Sequence, residues 1–159
     1  MAGLIVKIDA AAVEQAFRKA PREFTNEFRK AIKIGATEIQ REARRNHPTF
    51  TSRSGNADRS VQTDYDQSGG KVYLDTGVAK YSPYLHEGTG IFGPKRRPIT
   101  PKKKKFLHFF SQTHGWVRTK SVKGIKAGKF LYKAAEKNVD TITKLVNRAA
   151  ERAIRKAGL

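Results

Sequence analysis

The stretch FLYKAAEKNVDTITKLVNRAAERA, residues 130–153, carries the most regular pattern in the chain. Its apolar residues recur at intervals of three and four, with Lys and Arg between them, which predicts one apolar face of an α-helix. A helix of about 28 residues is about 42 Å long, more than a domain of this size covers, so one end is expected to project. The apolar positions are Phe130, Leu131, Ala134, Ala135, Val139, Ile142, Leu145, Val146, Ala149 and Ala153.

A second apolar stripe lies nearer the start of the chain and predicts another amphipathic helix. This helix is expected to end near His47 and Pro48, because proline disfavours a helical residue before it. Upstream, residues 4–8 predict a short strand, and Asp9 predicts the N-cap of a helix that follows it. Pro21 predicts a kink or a break in that helix. The stripe consists of Phe24, Phe28, Ala31, Ile32, Gly35, Ala36, Ile39 and Ala43.

Alternating side chains predict four strands between the two long helices. Residues 61–65 and 71–75 form one antiparallel pair, joined by a turn at residues 68–70. Residues 106–110 and 116–122 form a second pair.

These elements predict an α+β fold with two long helices packed on one face of an antiparallel sheet of about four strands. A chain of this length is sufficient for one core, so residues 1–159 are expected to form a single domain. Two stretches rich in polar or charged residues are expected to be mobile loops, near residues 49–58 and 93–105.

The charge of the chain is strongly positive and unevenly distributed. Its 159 residues include 33 Lys or Arg and 14 Asp or Glu, a formal charge of +19. The excess is +3 up to Gly90 and +16 over the remaining 69 residues, which indicates a partner of opposite charge. The absence of cysteine excludes disulfides, thiol nucleophiles and thiolate zinc sites. The apolar run at residues 4–6 is too short for a signal peptide or a membrane span, so we expect a cytosolic protein without a membrane partner.

The densest cluster of cations is residues 95–105, which we call the basic loop. Seven of its eleven residues are cations and two are prolines, a composition that prevents a regular helix. The basic loop is either a disordered segment whose charges are solvated by water, or a contact for DNA, RNA or an acidic protein. No zinc-finger, leucine-zipper or RNA-binding signature accompanies it, so sequence-specific recognition is not expected. The candidate contact residues are Lys95, Arg96, Arg97, Lys102, Lys103, Lys104 and Lys105.

Residues 88–93, GTGIFG, match the G-x-G-x-x-G pattern of dinucleotide-binding turns but lack its context. Such a turn needs a buried strand before it and a helix after it, whereas Pro83 precedes and Pro94 and Pro98 follow. No Asp or Glu lies between Glu87 and Glu136 to bind a ribose. We therefore expect no nucleotide cofactor.

Catalytic and metal-binding arrangements are weak in this sequence. His47, His86, His108 and His114 include no pair at the spacing that lets one helix face hold a metal. The pair His86 and Glu87 could act as a general base, but a hydrogen-bonded turn residue is the favoured interpretation. The acidic residues that could gather around magnesium lie in a loop and on a hairpin: Asp58, Asp64, Asp66 and Asp75. We therefore expect that the protein has no metal site and is not an enzyme.

Residues 79–90, AKYSPYLHEGTG, resemble the tail-component family of tailed bacteriophages that is named after phage Hong Kong 97. In that family a proline-containing loop and a strand like residues 105–109 follow this segment. A pattern like Val117, Lys120, Val122, Gly128, Phe130, Leu131 and Ala134 comes next, and all of these occur here in order. The resemblance covers roughly residues 10–150.

The resemblance implies a non-enzymatic virion protein of the neck, a tail-completion or head-tail connector subunit assembled in the host cytoplasm. Such subunits form a ring around the DNA channel; six copies are the first expectation and twelve the second. The implied partners are neighbouring neck and tail proteins (connector, tail terminator or tail tube) and passing double-stranded DNA. The expected subunit contact consists of Tyr84, Leu85, His86, Glu87, Gly88, Thr89 and Gly90.

Two alternatives follow from the residues without the resemblance. Charge alone is compatible with a cytosolic, sequence-independent nucleic-acid-binding module, which would release DNA steeply as salt rises. The acidic hairpin leaves a magnesium-dependent nuclease as the last-ranked alternative.

Overall fold

The computed structural model describes residues 5–9, 22–45, 54–66, 69–111 and 113–157. In chain order these residues form β1 (Ile5–Asp9), α1 (Arg22–Arg45), α2 (Asn56–Arg59), β2 (Val61–Tyr65), β3 (Gly69–Leu74), α3 (Ser82–Glu87), a 3-10 turn (Gly90–Phe92), β4 (Leu107–Ser111), β5 (Gly115–Thr119) and α4 (Phe130–Ala157). The predicted α+β class is confirmed. The helix predicted to follow Asp9, the break at Pro21, the helix end predicted near His47 and Pro48, and residues 49–53 of the predicted loop lie outside the described residues.

The strands form two separate antiparallel sheets. In the first, β3 lies between β1 and β2, so the predicted hairpin at residues 61–75 is confirmed and gains β1 on its other edge. In the second, β4 pairs only with β5. The prediction of one sheet of about four strands was therefore wrong in its arrangement. The physical reason is burial: β3 alternates buried and half-buried residues, whereas no residue of β4 or β5 is buried.

The two long helices are confirmed, and they lie antiparallel along each other. Glu27 near the start of α1 bonds to Lys156 at the end of α4, while Glu42 near the end of α1 bonds to Lys137 near the start of α4. The prediction that one end of α4 projects is wrong for the described residues, because α1 accompanies α4 to Lys156. No helix among the described residues is long and apolar enough to cross a membrane.

The core consists of two apolar clusters that share the helix pair. The larger joins the middle of α1 and the start of α4 to β2 and β3, and the smaller joins the opposite ends of the helices. Small residues at the contact allow the two helix backbones to approach closely. Fully buried alanines lie at Ala36, Ala43 and Ala153.

A buried carboxylate ties the two helix ends together. Glu27 Oε1 accepts hydrogen bonds from Lys156 Nζ at 2.8 Å and Lys30 Nζ at 3.0 Å. These two lysines, Lys156 first, lower the pKa of Glu27 from 4.5 to about 2.

We predict that acid weakens this tie. A lowered carboxyl pKa contributes stability that is present above pH 4.5 and is lost as the pH falls towards about 2. Glu27→Gln should therefore flatten the decline of the urea unfolding midpoint across that window. Glu38→Gln, which removes an exposed pair with Arg41 on the same helix, is the control. Equal effects of the two variants would contradict the prediction.

Candidate functional site

Two irregular segments are held face to face by backbone hydrogen bonds, and we call this arrangement the clasp. Its first segment is residues 85–93 and its second is residues 123–129. Thr89 N–H donates to Ile125 O at 2.9 Å and Ile91 N–H donates to Lys123 O at 2.8 Å. Ile125 N–H returns a bond to Thr89 Oγ1 at 2.9 Å. The clasp thus connects the motif after α3 to the chain that enters α4.

The clasp explains the glycines of the GTGIFG motif. Gly90 has φ of +64° and Gly124 has φ of +93°, values that side chains rarely adopt. A Cβ at Gly90 would collide with Lys123 O, and one at Gly124 would collide with Thr89 O. These glycines therefore allow close approach between two backbones, and the described residues 94–111 that follow the motif contain no helix whose start could receive a phosphate.

His86 caps the start of α4 from inside the protein. Its side chain is 0% exposed, and its Nδ1 accepts a hydrogen bond from Leu131 N–H at 3.4 Å. The ring meets Phe130 and Tyr132 edge to face, with centroids 4.8 Å away in each case. Burial, aided by the charge of Lys129, lowers the pKa of His86 to about 4. The His86 ring is therefore enclosed and neutral near pH 7, and its contacts anchor the first turn of α4.

A cleft of about 610 Å³ brings the two predicted contact segments together. One wall is formed by Tyr84, Glu87 and residues 88–90, and the other by Lys95, Arg97 and Lys102. Prolines and Ile99 complete an apolar lining, and a backbone pair between Ile99 and Val122 holds the basic loop next to the start of the second clasp segment. The lining of the cleft therefore combines apolar side chains with three cations and one carboxylate, Glu87.

The predicted subunit-contact residues differ in their accessibility. Tyr84 is 50% exposed, and Glu87, Thr89 and Gly90 are partly exposed. Leu85 packs against the main core, while His86 and Gly88 are buried. A surface contact stays a prediction for the exposed members, and the buried members have an internal role.

All seven cations of the basic loop are exposed, and three of them, Lys95, Arg97 and Lys102, line the cleft. Lys104 and Lys105 line a second hollow of about 360 Å³ together with Phe106, His108 and Arg118. Arg96 adopts a φ of +47°, so the chain bends within its cationic run.

The hairpin β4–β5 carries aromatic residues that the sequence interpretation had placed in a half-buried sheet. Trp116 is 71% exposed and Phe110 is 62% exposed. The ring of His108 stacks on Trp116 at 5.0 Å, and Phe110 meets Trp116 edge on at 5.7 Å. The signal that could have revealed this exposure is the interleaving of His108 and Arg118 with the aromatic residues of both strands.

The acidic residues considered for magnesium are engaged in local structure. Asp64 pairs with Lys71 at 2.8 Å across β2 and β3, and the side chains of Asp66 and Asp75 accept backbone N–H bonds from Gly69 and Gly77. Within the part of the chain that the structure describes, no three His, Cys, Asp or Glu residues are grouped so that they could hold a metal ion.

Comparisons of the chain with protein-family models, with curated proteins and with solved structures find no match in any of the three. Its function has to be inferred from its residues and their arrangement.

Proposed function

We propose that this protein is a non-catalytic virion component of a tailed bacteriophage, a tail-completion or head-tail connector subunit that forms a ring around the DNA channel. The observation that carries the proposal is the cleft. It unites the segment that resembles the phage tail-component family with the basic loop.

A closed ring requires two different surfaces on each subunit, because its interfaces are head to tail. The cationic cleft is one candidate. The second is the outer side of α4, where all three carboxylates of residues 91–159 are exposed: Glu136, Asp140 and Glu151. Val139, at 55% exposure, adds an apolar residue to the same helix. α4 as a whole carries seven Lys or Arg against these three carboxylates, so charge attraction to the cleft of a neighbouring copy is restricted to the carboxylates themselves.

Charge also supports a second partner. Six copies at +19 each would bring +114 formal charges into one ring. Such a ring repels itself unless DNA in the channel or acidic neighbouring rings neutralise it. We propose that the basic loop makes this contact, either with the DNA backbone or with an acidic neck protein. Assembly would take place in the host cytoplasm and end in the neck or tail of the virion.

The mass of the purified protein tests the ring. Light scattering across a salt series, with and without short duplex DNA, should give a salt-tolerant oligomer of six or twelve copies. A monomer that binds duplex DNA tightly at low salt and releases it steeply would favour a nucleic-acid-binding module instead.

We predict that replacing the four lysines at positions 102–105 by glutamine lowers virion yield and infectivity. If the lysines contact DNA, the salt slope of duplex binding should also fall by about 3 to 4, since each lost phosphate contact removes about 0.9. The control removes the same charge from exposed positions outside the basic loop and outside α4: Arg29→Gln, Lys33→Gln, Arg45→Gln and Lys80→Gln. Unchanged virion yield and infectivity in the loop variant would refute the role of the basic loop.

A further inference from the structure

One face of the β4–β5 hairpin carries a continuous row of aromatic and cationic side chains. The register pairs His108 with Arg118 and Phe110 with Trp116. Paired residues, and residues two apart on one strand, point to the same side of a ribbon. Together with Phe106, whose ring lies 4.2 Å from the Arg118 guanidinium, they form what we call the aromatic face.

The aromatic face is open rather than packed. No residue of either strand is buried, and Trp116 and Phe110 have the highest exposed fractions among the large hydrophobic residues described. A two-stranded ribbon is only marginally stable in water without a covering surface. Exposed aromatic rings of this size generally mark an interaction site.

The charge around this face selects the kind of partner. Residues 88–135 contain 13 Lys or Arg and no Asp or Glu. Lys104 and Lys105 border the hollow at the base of the aromatic face, beside Phe106 and Arg118. A second copy would bring the same cations against themselves if the two hairpins met. A partner with both flat apolar rings and a regular negative charge fits better.

We propose that the aromatic face binds single-stranded nucleic acid, with unpaired bases stacked on Trp116 and Phe110 and phosphates held by Lys104, Lys105 and Arg118. Proteins that bind single strands without sequence preference combine a basic groove with aromatic stacking platforms in this way. From Phe106 to Phe110 the strand extends about 14 Å, which is room for a few successive bases. A duplex cannot use this face, because its bases are already stacked inside. The inference shares Lys104 and Lys105 with the proposed ring, whereas the stacking of bases on Trp116 and Phe110 does not depend on ring formation.

The protein carries its own probe for the test, since Trp116 is its single tryptophan. Titration of the full chain with an oligothymidine should quench Trp116 fluorescence. A duplex of equal length and inorganic polyphosphate, which supply charge without unpaired bases, should leave it nearly unchanged. Equal quenching by all three probes would show a purely electrostatic contact and overturn the proposal.

Substitutions separate stacking from charge. Phe110→Ala and Trp116→Ala should each weaken oligothymidine binding about 5- to 150-fold, measured with a labelled strand, while duplex binding stays constant. Trp116→Tyr keeps a ring and should restore most of the affinity, which guards against loss through misfolding. Ile34→Ala, an exposed apolar change on α1, is the matched control and should have no effect.

A different outcome would identify a protein partner. If the alanine variants bind oligothymidine like the wild type but lose self-association in light scattering, the aromatic face is an interface between copies. That result would overturn the proposal. Unchanged binding of every probe, with no change in mass, would overturn it as well.

Discussion

Replacement of Gly124 by alanine is expected to destabilise the protein by about 2–6 kcal/mol. Two costs combine: a non-glycine residue at positive φ costs about 1–3 kcal/mol, and overpacking costs a further 1–3 kcal/mol. Both apply because Gly124 has φ of +93° and the new Cβ would meet the Thr89 carbonyl, which is backbone and cannot rotate away. Urea unfolding followed by circular dichroism measures the loss.

The matched control for this substitution is Gly115→Ala in the β4–β5 turn. Gly115 also has positive φ, +66°, but no atom lies within 4 Å of its added Cβ. Only the conformational cost remains, about 1–2 kcal/mol. If both variants lose the same stability, the close approach of the two clasp segments is not a constraint in solution.

Acidification through the titration range of His86 is expected to cost about 3 kcal/mol of stability, by the conversion of its pKa shift. The folded ring has a pKa of about 4 against the ordinary 6.5, because burial and Lys129 disfavour its charged form. As the pH falls, the unfolded chain therefore takes up a proton first. The contribution of His86 is fully present above pH 6.5 and is lost between pH 6.5 and about 4. The pH range in which His86 loses its contribution, 6.5 to about 4, lies largely above the range for Glu27, 4.5 to about 2.

His86→Gln isolates this effect, since an amide oxygen can still accept the Leu131 N–H bond but does not titrate. The variant should lose the pH dependence between 6.5 and 4 that the wild type shows in urea unfolding. Proton NMR of the His86 ring gives an independent reading, with a midpoint expected near 4. A midpoint near 6.5 would contradict the buried, neutral ring.

Accessibility within the clasp limits how the cleft can bind a partner. His86 and Gly88 are buried, so in the ring that we propose a neighbouring subunit would contact Tyr84 and the cations that line the cleft. Variants of Tyr84 therefore test binding at the cleft, whereas variants of His86 test the stability of the fold.

Local patterns in the sequence were sufficient for much of the fold. The spacing of apolar residues predicted both long helices, of which α1 is described up to Arg45 and α4 up to Ala157. Alternation predicted the β2–β3 hairpin, and residue counting located the excess charge in the C-terminal part. These features depend on neighbours within a few positions, so the sequence displays them directly.

Contacts between distant segments were decided only by the tertiary structure. Ile125 bonds to Thr89 across 36 positions, and Leu131 bonds to His86 across 45. The spacing of residues along the chain does not predict such pairs. The roles of the motif glycines and of His86 therefore follow only from the contacts between the two clasp segments. The separation of β4 and β5 into an exposed hairpin has the same origin. Strand pattern depends on adjacent residues, whereas burial of a strand depends on what the rest of the chain places against it.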